Sequence, residues 1–423
     1  MPLAPVGEAE FAALMAPLGP FGPLVAVGCS GGPDSLALAW LAHRLRPGQV
    51  LALVVDHGLR AESAAEAAGT ITQLEGRGIA ARLLSLSLAA GAGMQERARA
   101  ARRATLLGAC RQAGALHLLL AHHLEDQRET LLMRALAGSG AWGLGGMVPV
   151  HPSVEALVLR PLLGLSRTRL RATCEAAGLT PVEDPSNRDP RFLRARLREA
   201  PSGLDPAPFA RRRARMAREV AERLATAAAI LPEGCARLDF AALGQDAVAA
   251  LALARLVQAV GGGAHPAAPP ALRRLLAARE GSLGGAMLRR DGWLLRETPA
   301  PPVPAEAGAL WDGRFRLGAA APGLSFGALG AEAARFRAAR RDLPARALRA
   351  LPALRDGEGR LVAAPHVPFS ALPPGVLHPL RFAPRSGPVT ECFGRGEPPC
   401  QSALDFLCSR ISGCVAGEGE RAT

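Results

Sequence analysis

A chain of 423 residues has room for two or three domains, and its formal charge of +13, carried entirely by arginine with no lysine or tyrosine present, suggests a polyanionic partner. No apolar run is long enough to span a bilayer, and Glu8 and Glu10 stand where a secretory signal would be basic and then apolar. The eight cysteines are scattered without any Cys-x-x-Cys, which argues against a zinc site or disulfide framework and for a soluble cytoplasmic protein with buried thiols at Cys29, Cys110, Cys174 and Cys235.

In chain order, a short helix over Glu8–Leu18 precedes a Pro/Gly hinge. Leu24–Val27 is an apolar strand. It leads into Ser30-Gly31-Gly32-Pro33-Asp34-Ser35 and then a helix with Leu36, Leu38, Trp40, Leu41 and Leu45 at helical spacing. Val50–Val55 is a second strand ending at Asp56-His57-Gly58-Leu59-Arg60, followed by an alanine-rich helix to Arg77. Ala80–Leu88 is a third strand and Gln95–Gln112 an arginine-rich helix. Leu116–Leu120 is a fourth strand, ending at His122-His123, and Glu125–Leu136 is helical. Strands alternating with helices predict a doubly wound parallel α/β sheet. Ligands of such sheets bind at the carboxyl ends of the strands, where the glycine loop, Asp56-His57 and His122–Asp126 all fall.

Further on, Gly138–Gly146 carries too many glycines for regular structure; it reads as a substrate-gripping loop or as a connector. A helix over Arg167–Ala177 precedes the polar stretch Glu183–Pro190, and Arg191, Arg194, Arg196 and Arg198 follow it. Pro206–Leu231, with Arg211-Arg212-Arg213, is helical, as are Ala247–Val260 and Ala271–Ala278. Ala286–Leu288 and Trp293–Leu295 flank the turn Arg290-Asp291-Gly292. A catalytic domain is expected over 1–200, a mostly helical RNA-binding domain over 201–300, and a small α+β domain over 301–380. The cysteine-containing tail 381–423 is expected to be disordered.

The chemistry concentrates in two stretches. Gly31 and Gly32 let a phosphate approach the backbone, and the N–H groups opening the next helix face it. Ser30 and Ser35 can add hydroxyl donors. Asp34 would repel a phosphate unless both share a Mg²⁺. A Walker loop is excluded, since it needs a lysine. In the second stretch, Asp126 and Glu129 lie three apart at a helix start and share a face, so Asp126 can complete a Mg²⁺ site with Asp34. These carboxylates also suit plain helix capping. The paired histidines either bind phosphate or close the strand.

Ser-Gly-Gly-x-Asp-Ser after a first strand resembles the pyrophosphate loop of the N-type ATP pyrophosphatases, which have the adenine nucleotide alpha hydrolase-like fold. Its pairing with His-His-Leu-Glu-Asp-Gln-x-Glu-Thr resembles the tRNA(Ile)-lysidine synthase family. So do Asp56–Arg60, Arg99–Arg102, Gly138-Ser139-Gly140, Arg160-Pro161-Leu162-Leu163 and Asp184-Pro185-Ser186-Asn187. The likeness is strong over roughly 22–200 and weaker beyond. Glu125 departs from it, standing where an aspartate is usual. The resemblance implies a ligase that uses ATP and Mg²⁺ to adenylate the wobble cytidine of a tRNA(Ile) with a CAU anticodon. L-lysine then displaces AMP to give lysidine. It implies ATP binding by Ser30, Gly31, Gly32, Pro33, Asp34, Ser35, Asp56, His57 and His122, metal binding by Asp34 and Asp126, and catalytic roles for Asp34, Asp126, Glu129 and Arg102. Arg102 would meet the lysine carboxylate. The family is often dimeric, and no interface is legible in the sequence. The rivals are a tRNA thiolase with the same loop, which needs cysteines this chain does not pair, and a non-catalytic RNA-binding module.

Overall fold

The computed structural model describes residues 4–56, 58, 62–86, 94–153, 155–182, 204–367, 369–372 and 380–384. Contacts separate two compact units, 1–215 and 216–390, where the sequence places boundaries at 200 and 300.

The first unit is built on a six-stranded sheet of order β3-β2-β1-β4-β6-β5. Its strands are β1 (Val25–Cys29), β2 (Val50–Asp56), β3 (Ala80–Ser85), β4 (His117–Leu120), β5 (Val150–Pro152) and β6 (Leu157–Leu159). All neighbours run parallel except β5 with β6. β1 is buried along its whole length, as a strand covered on both faces must be, and for that reason its sequence is a continuous apolar run. Strand order reverses at β1, which pairs with β2 on one side and β4 on the other. The crevice between the ends of β1 and β4 is therefore the topological switch point.

The helices are α1 (Glu8–Met15), α2 (Pro33–Leu45), α3 (Ser63–Glu75), α4 (Met94–Ala113), α5 (Leu124–Leu136), α6 (Ala141–Leu144), α7 (Arg167–Ala176) and α8 (Ala207–Ala227). One core joins Val27, Leu36, Leu38 and Val54 with Leu170 and Cys174 of α7. The other joins Ala26, Leu53 and Leu118 with Leu106 and Cys110 of α4. Each such leucine contributes on the order of 1.5–3 kcal/mol. α1 is tied to α7 by Arg169, whose Nη1 and Nη2 each donate to a Glu10 oxygen at 2.7 Å and whose Nε donates to the Ala4 carbonyl at 3.0 Å.

Over 216–300 the second unit carries helices and a sheet together. α9 (Phe240–Leu243), α10 (Ala247–Gly261) and α11 (Pro269–Ala278) accompany a five-stranded antiparallel sheet, β7-β8-β11-β10-β9. These strands are β7 (Ala228–Ile230), β8 (Ala236–Leu238), β9 (Gly281–Leu283), β10 (Ala286–Leu288) and β11 (Trp293–Arg296). A second five-stranded sheet, a three-stranded sheet and a short helix, α12 (Ala345–Arg349), follow. The last strand, Leu380–Phe382, pairs with Phe315–Leu317. Ordered pairing thus takes in Arg381 and Phe382, the first residues of the expected tail; its remainder from 385 lies outside the described residues. At the centre of this unit the buried Asp312 carboxylate accepts from Arg314 Nη2 at 2.7 Å, Arg296 Nη2 at 2.6 Å and the Ala300 N–H at 3.0 Å.

Candidate active site

The glycine loop connects β1 to α2. Gly31 has φ +79°, and a Cβ there would stand 2.6 Å from Thr70 Oγ1, so both conformation and space require glycine. Its carbonyl accepts from the Val182 N–H at 2.9 Å. Gly32 is the N-cap of α2 and Pro33 its first residue, a position where proline's missing N–H costs nothing. The Ser35 hydroxyl is consumed within the loop: it accepts from the Ser30 N–H at 3.0 Å and donates to the Gly32 carbonyl at 2.9 Å. Ser30 is exposed and Ser35 buried, so Ser30 is the hydroxyl open to a ligand and Ser35 shapes the loop.

Asp34 and Asp126 converge on His123. Its Nε2 lies 3.6 Å from Asp34 Oδ2 and 3.5 Å from Asp126 Oδ2, while its Nδ1 lies 3.0 Å from Glu125 Oε2. Asp126 Oδ2 also accepts from the His123 N–H at 3.1 Å, capping α5. This carboxylate thus caps its helix while standing with Asp34 at one imidazole. Burial opposes charge on the imidazole, but the hydrogen bond it donates to Glu125 and the charges of Asp126 and Asp34 outweigh it and raise its pKa. Burial raises the Asp34 carboxyl, with His123 and Arg167 pulling it back and Asp126 and Glu125 pushing it further. The Arg167 Nε stands 3.8 Å from Asp34 Oδ2.

Glu125 has its own task. Its Oε2 accepts from the Arg167 N–H at 2.9 Å and so joins α5 to the start of α7. Burial raises its pKa, but the bonds from His123 and the Arg167 backbone prevail and bring it to about 2. The position where the family resemblance expects aspartate is thus spent on joining helices.

A second group lies beside the first. Arg102 of α4 is half-buried, its Nε has no hydrogen-bond partner among the described residues, and its charge reaches the Cys29 thiol at the end of β1. His122 is lowered to about 4 by burial and then by Arg160, while Asp126 opposes this and Arg102 adds to it. His122 is therefore neutral at pH 7 and suited to donate or accept a hydrogen bond. Glu129 is buried on α5, one turn beyond Asp126.

Asp56 closes a turn, its Oδ1 accepting from the Gly58 N–H at 2.9 Å and from Ser63 Oγ at 2.7 Å. His57 lies outside the described residues, as do 183–203 with their arginines. Among the described residues no group of three or more His, Cys, Asp or Glu gathers in a way that could hold a metal. A Mg²⁺ shared with phosphates needs only one or two carboxylates. Asp34 and Asp126 fit that requirement, and the buried Asp34 Oδ1 has no hydrogen-bond partner among the described residues. Sequence reasoning missed the pivotal place of His123 and the part of Arg167. Its only available signal for His123 was position, one residue before the helix carrying Asp126.

The glycine-rich stretch after α5 is more regular than its composition suggests, since Ala141–Leu144 is helical. Arg134 Nη1 donates to the carbonyls of Gly143 and Gly146 at 2.6 and 2.7 Å. Gln127 bonds Met147 in both directions, at 2.8 Å to its carbonyl and 2.6 Å from its N–H.

The description "PP-loop domain" fits residues 6–201. The chain is 50% identical to the tRNA(Ile)-lysidine synthase of Novosphingobium aromaticivorans over 178 residues, 41% of this chain and 55% of that protein. The match thus spans about half of that relative's length. It is 42% identical to the enzyme of the same name from Methylobacterium nodulans over 308 residues, 66% of this chain and 91% of that protein. With the counterpart from Methylobacterium sp. strain 4-46 it shares 42% identity over 66% of this chain and 89% of that one. No helix among the described residues is long and apolar enough to cross a membrane. A glycine loop and two carboxylates at the switch point of a parallel sheet, together with similarity extending over nine-tenths of a relative, place the chain in the tRNA(Ile)-lysidine synthase family.

Proposed function

We propose that the protein adenylates the wobble cytidine of a tRNA(Ile) with a CAU anticodon and replaces the adenylate with L-lysine, converting decoding from AUG to AUA. The observation that carries this reading is the meeting of Asp34 and Asp126 at His123, beside a glycine loop and the half-buried Arg102. The N–H groups at the start of α2 receive phosphates of ATP. Asp34 and Asp126 would hold Mg²⁺, which would neutralise charge developing on the departing pyrophosphate. In the first step the cytidine C2 oxygen bonds to the α-phosphorus as the bond to the β-phosphate oxygen breaks. In the second the lysine ε-amine, having lost a proton, bonds to C2, and the C2–O bond breaks to release AMP. Arg102 takes the lysine carboxylate through paired N–H donors, and Glu129 orients the amine.

Residues 201–300 and 301–380 are assigned to RNA contact, and a homodimer follows from the family resemblance. A thiolase reading finds no support, since Cys29, Cys110, Cys174 and Cys235 are free and buried. Incubation with ATP, L-lysine and tRNA, followed by nucleoside analysis, tests the assignment. Lysidine and AMP formed in equal amounts are expected, and ATP left unconsumed while RNA binds would overturn it in favour of a non-catalytic module.

A further inference from the structure

The stretch between α5 and β5 is built more elaborately than a connector needs. Three side chains from two helices hold it: Gln127 and Arg134 of α5, and Arg213 of α8, which donates to the Gly146 carbonyl. Its glycines make room for those side chains. A Cβ on Gly146 would stand 2.4 Å from Gln127 Oε1, and one on Gly145 would stand 2.2 Å from Arg213 Cδ. What this scaffold holds in place is Trp142, half-buried, with the Arg213 guanidinium 5.5 Å from its ring centroid.

Cations crowd the same place. Arg160 is lowered to about 10, by burial and then by the neighbouring charges of Arg103 and Arg213. His151 is lowered to about 4 by burial and by Arg103, Arg160 and Arg213, so it is neutral at pH 7. Among the described residues Glu155 opposes them, acting on Arg103. The buried Arg160 Nε has no hydrogen-bond partner among the described residues, while its Nη1 donates to the Val148 carbonyl at 2.9 Å. Its charge is felt by His122, which also feels Asp126, so this group belongs to the carboxyl end of β4. An indole beside clustered guanidiniums is the chemistry that receives an unstacked nucleotide: the ring offers a π-face and the cations meet the phosphate.

We propose that Trp142, with Arg160 and Arg213 beside it, seats one nucleotide of the anticodon loop next to the reacting cytidine, the base stacking on the indole and the phosphate meeting the guanidiniums. This rests on the RNA-modifying reading above and adds a specificity-determining element to it. The phosphates of ATP are received elsewhere, at the glycine loop on α2.

The probe is a synthetic anticodon stem-loop with a CAU anticodon, added to the full chain. Trp293 and Trp311 are buried and Trp40 on α2 is half-buried like Trp142, so the measurement is made in a Trp40→Phe background, where quenching of tryptophan fluorescence on RNA addition should come largely from Trp142 and be lost on adding Trp142→Phe, which still binds. Trp142→Ala should bind the stem-loop about tenfold more weakly, with ATP affinity unchanged. An abasic residue at one position flanking the cytidine should cost the wild-type protein a similar factor and cost Trp142→Ala nothing more. The proposal is overturned if Trp142→Ala binds RNA normally, if the two losses add at every position, if ATP affinity falls with RNA affinity, or if quenching persists in Trp142→Phe. Should Trp142→Ala melt early, the fluorescence comparison alone decides. Lysidine formation by the wild-type protein tests the parent reading separately; if lysidine forms and the losses add, only the seat is wrong.

Discussion

Asp34 and Asp126 stand on different helices and meet at one imidazole, so neither can lose its charge without changing the site that both make. Asp34→Asn and Asp126→Asn are each expected to reduce AMP release from ATP by at least a hundredfold, with an unaltered circular dichroism spectrum; substantial AMP formation by Asp126→Asn would remove it from the metal site. Glu129→Gln should separate the two steps. Adenylated RNA should still accumulate and lysine transfer should slow greatly, as quenched-flow sampling of each product would reveal. Equal losses in both steps would contradict its role as amine holder. These carboxylates were legible in the sequence because they sit where strands end, and the positions of strand ends follow from apolar runs. Arg167 and Arg160 were not legible as site residues. Each acquires its place through a contact that forms only when distant segments pack, Arg167 beside Asp34 and Arg160 beside His122.

Among elements, α1 is held by the burial of Phe11 and Met15, by Arg44 on Glu8 and by Arg169 on Glu10. The bond from Arg169, with its charge, holds the Glu10 carboxyl below its usual value despite some burial. A depressed carboxyl stabilises the fold above the unfolded value, near 4.3, and that contribution fades as pH falls through the folded value. Glu10→Gln should therefore cost a few tenths to about 1 kcal/mol at pH 7, and the gap in melting temperature from wild type should narrow at pH 3. Asp312 is the harsher case. Asp312→Ala strands two guanidiniums, one of them fully buried, and should cost about 3–5 kcal/mol in denaturant titration. The parallel strands β1 to β4 could be read as continuous apolar runs. β5 and β6 could not, because three-residue strands carry too little periodicity. α6 was hidden by the glycines around it, of which Gly145 and Gly146, just past its end, make room for Arg213 and Gln127.

Across the whole molecule the excess of arginine sets the response to salt. Affinity for tRNA should fall linearly on logarithmic axes as salt rises, and charge reversal at the exposed Arg211 and Arg212 should weaken binding and flatten that slope while leaving ATP affinity intact. A salt-independent affinity in filter binding would contradict the electrostatic account. The three-part division 1–200, 201–300 and 301–380 was drawn from composition, which does not register that β8 pairs with β11 across more than fifty residues of chain or that Arg296 reaches Asp312 across position 300. One helix has a wider reach than its length suggests. α5 carries Asp126 in its first turn and, one residue later, grips the segment that holds Trp142 through Gln127. A displacement of α5 made by one ligand is therefore presented to the other. Nucleotide and RNA binding are then thermodynamically linked: whatever factor RNA applies to the dissociation constant of ATP, ATP must apply to that of RNA.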